Sequence, residues 1–150
     1  LAITEQLDDR WEHSIALFNL GEALAEAGEI EAARDYLRRA IEKKSALGDR
    51  WGLAYARHAL ARLHLDHQEL DRAGREARAG LRLADEIGDP KITSRLHLLL
   101  GHVLFEQGET DRSAEHFRKA LQDAERIASE PDVVAARQGL AVVWAKHGVG

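Results

Sequence analysis

The chain has no cysteine and no methionine, two prolines in 150 residues, and only 5% aromatic side chains. Without cysteine, neither a disulfide framework nor a thiolate-ligated metal site can form. No apolar run approaches the roughly 20 residues that a membrane-spanning helix needs. The opening residues lack the basic-plus-apolar pattern of a secretory signal. A strongly basic balance is also missing. The net charge is -5 with 31% charged residues, the reverse of the basic footprint expected of a nucleic-acid binder. Strand-like alternation and low-complexity linkers are both lacking. These features fit a polar-surfaced, all-α chain suited to the cytoplasm. Because it begins at Leu1 and lacks methionine, it is expected to be a piece of a longer protein.

What is present is a repeat. Leu96–Leu121 reads LHLLLGHVLFEQGETDRSAEHFRKAL, a helix, a tight turn near Gly108, and a second helix. Moved back by 40 residues, Leu100-Gly101 falls on Leu60-Ala61, and by another 40 on Leu20-Gly21. Moved forward, it falls on Leu140-Ala141. The turns keep step at Gly28-Glu29, Gln68-Glu69 and Gly108-Glu109, with a last Gly148. Self-similarity at a fixed period of this size is the signature of stacked helix pairs, whose core lies between neighbours.

The units expected are about 11–49, 50–89 and 90–129, with a helix stub at 1–8 and a terminal helix at about 131–147. The stub follows from alignment of residues 1–7 with 41–47, 81–87 and 121–127, each the tail of a second helix. Within unit one, Ile15, Phe18, Leu24 and Ala27 recur at helical spacing, as do Ala33, Leu37, Ala40 and Ile41 in the second helix. Gly28 and Gly48 should close these helices in the left-handed conformation. Asp49 is placed to cap the next helix through its side-chain oxygen. The prolines punctuate rather than interrupt. Asp89-Pro90 is a cap followed by proline at the first helical position, and Ser129-Glu130-Pro131 precedes the last helix. Helix 70–87 looks weakest, since each internal glycine, Gly74 and Gly80, costs roughly 1 kcal/mol against alanine. Gly80 shares its slot with Ala40 and Ala120, which suggests close packing.

Leu20-Gly21, Leu24, Gly28, Ala33, Leu37 and Ala40 resemble the tetratricopeptide repeat, as do Leu100-Gly101, Leu104, Gly108, Phe117 and Ala120. The resemblance covers essentially the whole chain. It implies a right-handed α-α superhelix, a solenoid of about three helix pairs plus a terminal helix. The 40-residue unit is longer than the usual ~34. It is similar to repeats of kinesin light chains, LGN-type polarity adaptors and bacterial signalling ATPases and transcription regulators. The Ala/Arg/Leu-rich composition inclines the comparison to the bacterial regulators. Unit two departs from the pattern, with Gln68 at the turn and Ala77 in the large-residue slot, which puts its packing in question.

In this family the first helix of each pair lines a concave groove. The pattern then assigns Phe18 and Glu22, with Ile15 and Ala25, to that surface in unit one. Unit two gives Tyr55, His58 and Arg62, with Leu65. Unit three gives Arg95, Leu98, His102 and Phe105, and the last helix adds Gln138 and Val142. Such a mixture suits a peptide or helix with apolar anchors and some acidic character. The plainer alternative is that these side chains only pack between units. A lysine and asparagine clamp for a C-terminal carboxylate, known in the family, is not matched by Phe18, Glu22 and His58.

Eight histidines raise the question of a metal. Zinc needs three or four ordered ligands, and neither His64/His67 nor His97/His102 completes such a set, so no metal or other cofactor is expected. His64 occupies the packing slot of Leu24 and Leu104. Arg72, Arg75, Arg78 and Arg82 form a basic stripe on one helix, readable as a solvated outer face or as a meeting place for phosphate or an acidic partner. No nucleophile elbow, phosphate loop or paired-carboxylate site is legible. The function expected is therefore that of a non-catalytic scaffold for a protein or peptide, the sensor or adaptor part of a bacterial signalling or transcription regulator, with no direct nucleic-acid or membrane partner. An alternative is self-association as a homodimer or larger oligomer. Val133, Val143 and Trp144 would lie partly uncovered at one end, and Ile3 and Leu7 at the other. A third reading is a small-molecule or signal-peptide sensor around Tyr55, His58 and His102.

Overall fold

The computed structural model describes residues 2–146 and places seven helices there: α1 Ala2–Glu26, α2 Ile30–Leu47, α3 Arg50–Asp66, α4 Leu70–Ile87, α5 Pro90–Glu106, α6 Thr110–Arg126 and α7 Glu130–Lys146. The described residues contain no strand. Gly148, expected to mark a further turn, and position 147 of the terminal helix lie outside the described residues, as does Leu1.

The chain reverses at Gly28, Gly48, Gln68, Gly88, Gly108 and Ala128, the described residues with positive φ. Glycine takes this conformation freely; the Cβ of glutamine or alanine does not. Gln68 nevertheless adopts φ 59° and Ala128 φ 53°, so the turn geometry is kept where the sequence does not favour it. The N-terminal caps are as expected at Asp49 and Asp89. Gly52 N–H donates to Asp49 Oδ1 at 2.9 Å, and Lys91 N–H to Asp89 Oδ1 at 3.0 Å, with Pro90 opening the helix.

Two expectations fail here. The stub and the first helix are one continuous helix, α1. Asp8 stands where Gly48, Gly88 and Ala128 turn, and Asp8-Asp9-Arg10 contains nothing that breaks a helix. Val133 and Val143 are also not uncovered. They are 7% and 2% exposed, and Val143 packs with Phe117 and Leu140. Helix α7 is apolar on more than one side, so its sequence did not disclose which side turns inward. Trp144, at 47% exposure, and Ile3 and Leu7 are open as expected.

Small and large residues interlock between the helices of each pair. Gly21 lies under Leu37, where a Cβ would meet the leucine side chain at 2.8 Å. Gly101 and Gly139 flank Phe117 on either side, and a Cβ on them would approach its ring to 2.5 and 2.6 Å. In unit two the corresponding pair is Ala61 and Ala77, both fully buried. The extra methyl at 61 is matched by the lost bulk at 77, and Leu96 and Leu100 join the same core cluster. Unit two is therefore repacked, not loosened. Gly80 proves to be a close-approach site, its missing Cβ 3.2 Å from Leu96 and 3.5 Å from the Ala54 carbonyl. Gly74, which no packing pattern foretold, leaves room for the Arg78 guanidinium at 3.2 Å.

Each helix packs on the next, and the odd-numbered helices also touch one another in sequence, α1 to α3, α3 to α5, α5 to α7. No such contact joins α2, α4 and α6 among the described residues. One layer is thus closed up and the other splayed. The stack bends toward the odd helices, whose outer side forms the concave face.

Candidate functional site: the concave face of α1, α3 and α5

Helix periodicity carries one side-chain stripe of each odd helix onto the concave face. Phe18, Glu22 and Ala25 come from α1, Tyr55, His58, Arg62 and Asp66 from α3, and Arg95 from α5. Together they line a cleft of about 280 Å³. A second hollow of about 500 Å³ continues along α5 to Leu98 and His102, sharing His58, Arg62, Asp66 and Arg95 with the first. Ten of the fourteen groove residues named from the sequence thus fall in one continuous depression, and Ile15, Phe105, Gln138 and Val142 do not. Phe105 instead packs with the α5–α6–α7 core, its ring 4.9 Å from Lys146 Nζ. Ile15 on α1 and Gln138 and Val142 on α7 are exposed and lie outside both hollows.

The periodic pattern missed Asp66 and Asp132, which bring carboxylates to the rim. The available signal for Asp66 was its place one turn beyond Arg62, on the same stripe as His58. Asp132 could not be found in this way, since it reaches the site from the first turn of α7.

The electrostatics of the cleft are set by two cations. Burial, followed by the Arg95 and Arg62 guanidiniums, holds His58 down to about 4, so the imidazole is neutral at physiological pH. Glu22 is raised, first by partial burial and next by Glu26, with Arg62 and Arg95 opposing. Tyr55 is raised by burial and by Asp89, and its ring lies 4.5 Å from that of Trp51. The Trp51 Nε1 donates to Asp89 Oδ2 at 2.9 Å, tying the end of α3 to the cap of α5. Neither Arg62 nor Arg95 makes an ion pair or hydrogen bond with a described residue. Several arginines on the outer side are paired. Arg57 holds Glu76 at 2.8 Å, Arg72 holds Glu69 at 3.0 Å, and Arg50 holds Glu86.

The described histidines are engaged separately. His67 Nδ1 lies 2.9 Å from the Leu63 carbonyl, and His97 Nδ1 lies 3.0 Å from His116 Nδ1. His102 leans edge-on against Phe117, with centroids 5.0 Å apart. Among the described residues no three His, Cys, Asp or Glu side chains are grouped to hold an ion. Nor is any helix among them long and apolar enough to cross a membrane.

Comparison with known proteins fits this architecture. BtubC (BKLC) from P. vanneervenii has a similar fold, with a TM-score of 0.74 at 18% identity, over 98% of this chain and 67% of that one. No curated protein sequence matches. The tetratricopeptide repeat profile matches residues 5–47, 58–127 and 98–148. Repeats of this kind are in general non-catalytic scaffolds for protein–protein interaction. With matches over most of its length, the chain belongs to the tetratricopeptide repeat family.

Proposed function

We propose that the concave face captures a segment of a partner protein, a peptide or helix with acidic residues beside apolar anchors. The observation that carries this reading is the pair Arg62 and Arg95. They stand on adjacent helices around His58, with no carboxylate of the described residues in ion-pair reach. Tyr55, Phe18 and Leu98 offer apolar surface on either side. Guanidiniums present a planar fork that matches a carboxylate, while burial of aromatic and aliphatic surface supplies affinity. No chemistry is performed on the bound segment. The setting we infer, from the 40-residue unit and the Ala/Arg/Leu-rich composition, is the sensor or adaptor part of a larger cytoplasmic bacterial regulator.

The test is to select peptides against the chain by display and measure the best by calorimetry. Acidic sequences should be enriched, and Arg62→Glu with Arg95→Glu should weaken them by at least about 100-fold, the scale of losing desolvated charge pairs. Unchanged affinity in the double variant would refute the groove.

A second reading, self-association, has its own observation. In the first three units the face of the odd helix that carries Gly21, Ala61 or Gly101 is covered by the following even helix. On α7 the matching face displays Val134 at 41% and Trp144 at 47% exposure. Contact between two such faces would make a homodimer. Sedimentation across a concentration series should then show a dimer that Trp144→Glu dissociates. A monomer at every concentration removes this reading.

A further inference from the structure

On the convex side, the gap between α2 and α4 holds a separate cleft of about 290 Å³. Its walls carry Arg38 from α2 and Arg72 and Arg75 from α4, and the floor includes His64 of α3. His64 is only 2% exposed and replaces the leucine of its sister positions, Leu24 and Leu104. A buried polar group is costly unless it is partnered. The contact it has is a long one, Nδ1 to Glu69 Oε1 at 3.4 Å.

Arginines outnumber carboxylates around this imidazole. Arg34, Arg38, Arg72 and Arg75 all act on it, and after burial they are what hold it down to about 4. Of the carboxylates nearby, Glu69 already serves Arg34 and Arg72, and Glu76 is bound by Arg57 at 2.8 Å. Glu42 remains at the rim. Arg38 and Arg75 have no ion-pair partner among the described residues. Arg34 Nε is buried and lacks an acceptor, the one such side-chain atom found among them. In a chain of net charge -5, several guanidinium donors therefore converge on a buried imidazole with too few acceptors.

We propose that this cleft binds a phosphate monoester, its oxygens taken by Arg38 and Arg75 from opposite walls with His64 beneath. Two unpaired cations match the charge of about -1.5 to -2 that such a group carries at neutral pH, and its oxygens are strong acceptors. The donor of the phosphate is either a phosphorylated side chain of a partner or a free phosphate compound. This site lies on the opposite side of the stack from the concave groove and does not depend on it.

The experiment follows the His64 ring by NMR in the whole chain while inorganic phosphate, then a phosphoserine peptide, is added at constant ionic strength. Expected is a saturable shift, with the His64 pKa raised by at least about one unit as a bound dianion favours the imidazolium. Arg38→Gln and Arg75→Gln, both exposed and so neutral for folding, should each weaken binding by about tenfold or more. Arg82→Gln, further along α4, should not. Peptide binding tighter than inorganic phosphate by tenfold identifies a phosphoprotein source, and equal affinity a free phosphate compound. A shift that never saturates, that chloride reproduces, or that survives both arginine variants overturns the proposal. His64→Leu restores the residue used in the sister units, so it should fold and still lose affinity.

Discussion

The contact of Phe117 with Gly101 and Gly139 sets up a quantitative test of how the units are packed. Replacing Gly101 by alanine should help the isolated helix by about 1 kcal/mol. In this structure the new methyl would lie 2.5 Å from the Phe117 ring, which is 1% exposed and held by Gly139 on its other side. Overpacking of this kind costs about 1–3 kcal/mol, so the net effect should be a loss of about 0–2 kcal/mol. Phe117→Ala alone should cost about 3–5 kcal/mol through lost burial and the cavity left behind. Combined, the two substitutions recreate the Ala61/Ala77 pairing of unit two. In the truncated background the methyl meets open space, and Gly101→Ala should turn stabilising by about 1 kcal/mol. The expected coupling is therefore about 2 kcal/mol, within the range for residues in contact. Urea unfolding of the four proteins, followed by circular dichroism, gives the cycle. Amide exchange of α5 to α7 checks that the change is local, since repeat arrays need not unfold in one step. Additive effects within about 0.5 kcal/mol would refute the interlocking of ring and glycine.

Other expectations follow from the same geometry. Gln68→Gly should stabilise the chain by about 0.5–1 kcal/mol, because φ 59° strains any residue with a Cβ; an unchanged midpoint in urea would count against it. Ser94→Ala should cost about 1 kcal/mol by removing the buried hydroxyl that donates to the Ala120 carbonyl at 2.9 Å, and thermal unfolding would read it. His58, His64 and His116 are each held near 4 in the folded chain, below the ordinary 6.5. Protonation therefore favours the unfolded state. Their contribution should be intact above pH 6.5 and decline as the pH falls toward 4. Denaturation midpoints across that window should flatten in His64→Leu, and an unaltered slope would exclude His64 from the effect.

The period, the helix pairs and the caps at Asp49 and Asp89 were legible because each rests on local chemistry repeated in register. The concave stripe was legible for the same reason, since four-residue spacing fixes a helix face. What failed depended on neighbours. Nothing within residues 1–10 states whether the helix turns at Asp8, and the inward side of α7 is decided by α5 and α6. Phe105 has the spacing of a groove residue but packs into the core beside α7. Unit two looked flawed position by position, and only the pairing of 61 with 77 shows that one change offsets the other. The convex cleft was half visible, as an arginine stripe. The burial of His64 was foreshadowed by its place in the slot of Leu24 and Leu104, while the contribution of Arg38 from α2 required the fold.

The spacing of the turns has a consequence for how such a chain can change. Reversals fall on residues 28, 48, 68, 88, 108 and 128, so the molecule is ruled into lengths of twenty. Among the described residues, no helix touches another more than two places along the chain. A duplication or deletion of forty consecutive codons returns the turns to their register, with no gap to bridge and no ring to reclose, and breakpoints that keep 61 with 77, and 101 and 139 with 117, also keep each small-residue seat with its own partner. Length is then a free variable for evolution. An array of this design can acquire a new stretch of binding surface, or shed one, in a single genetic step while each remaining joint stays as it was.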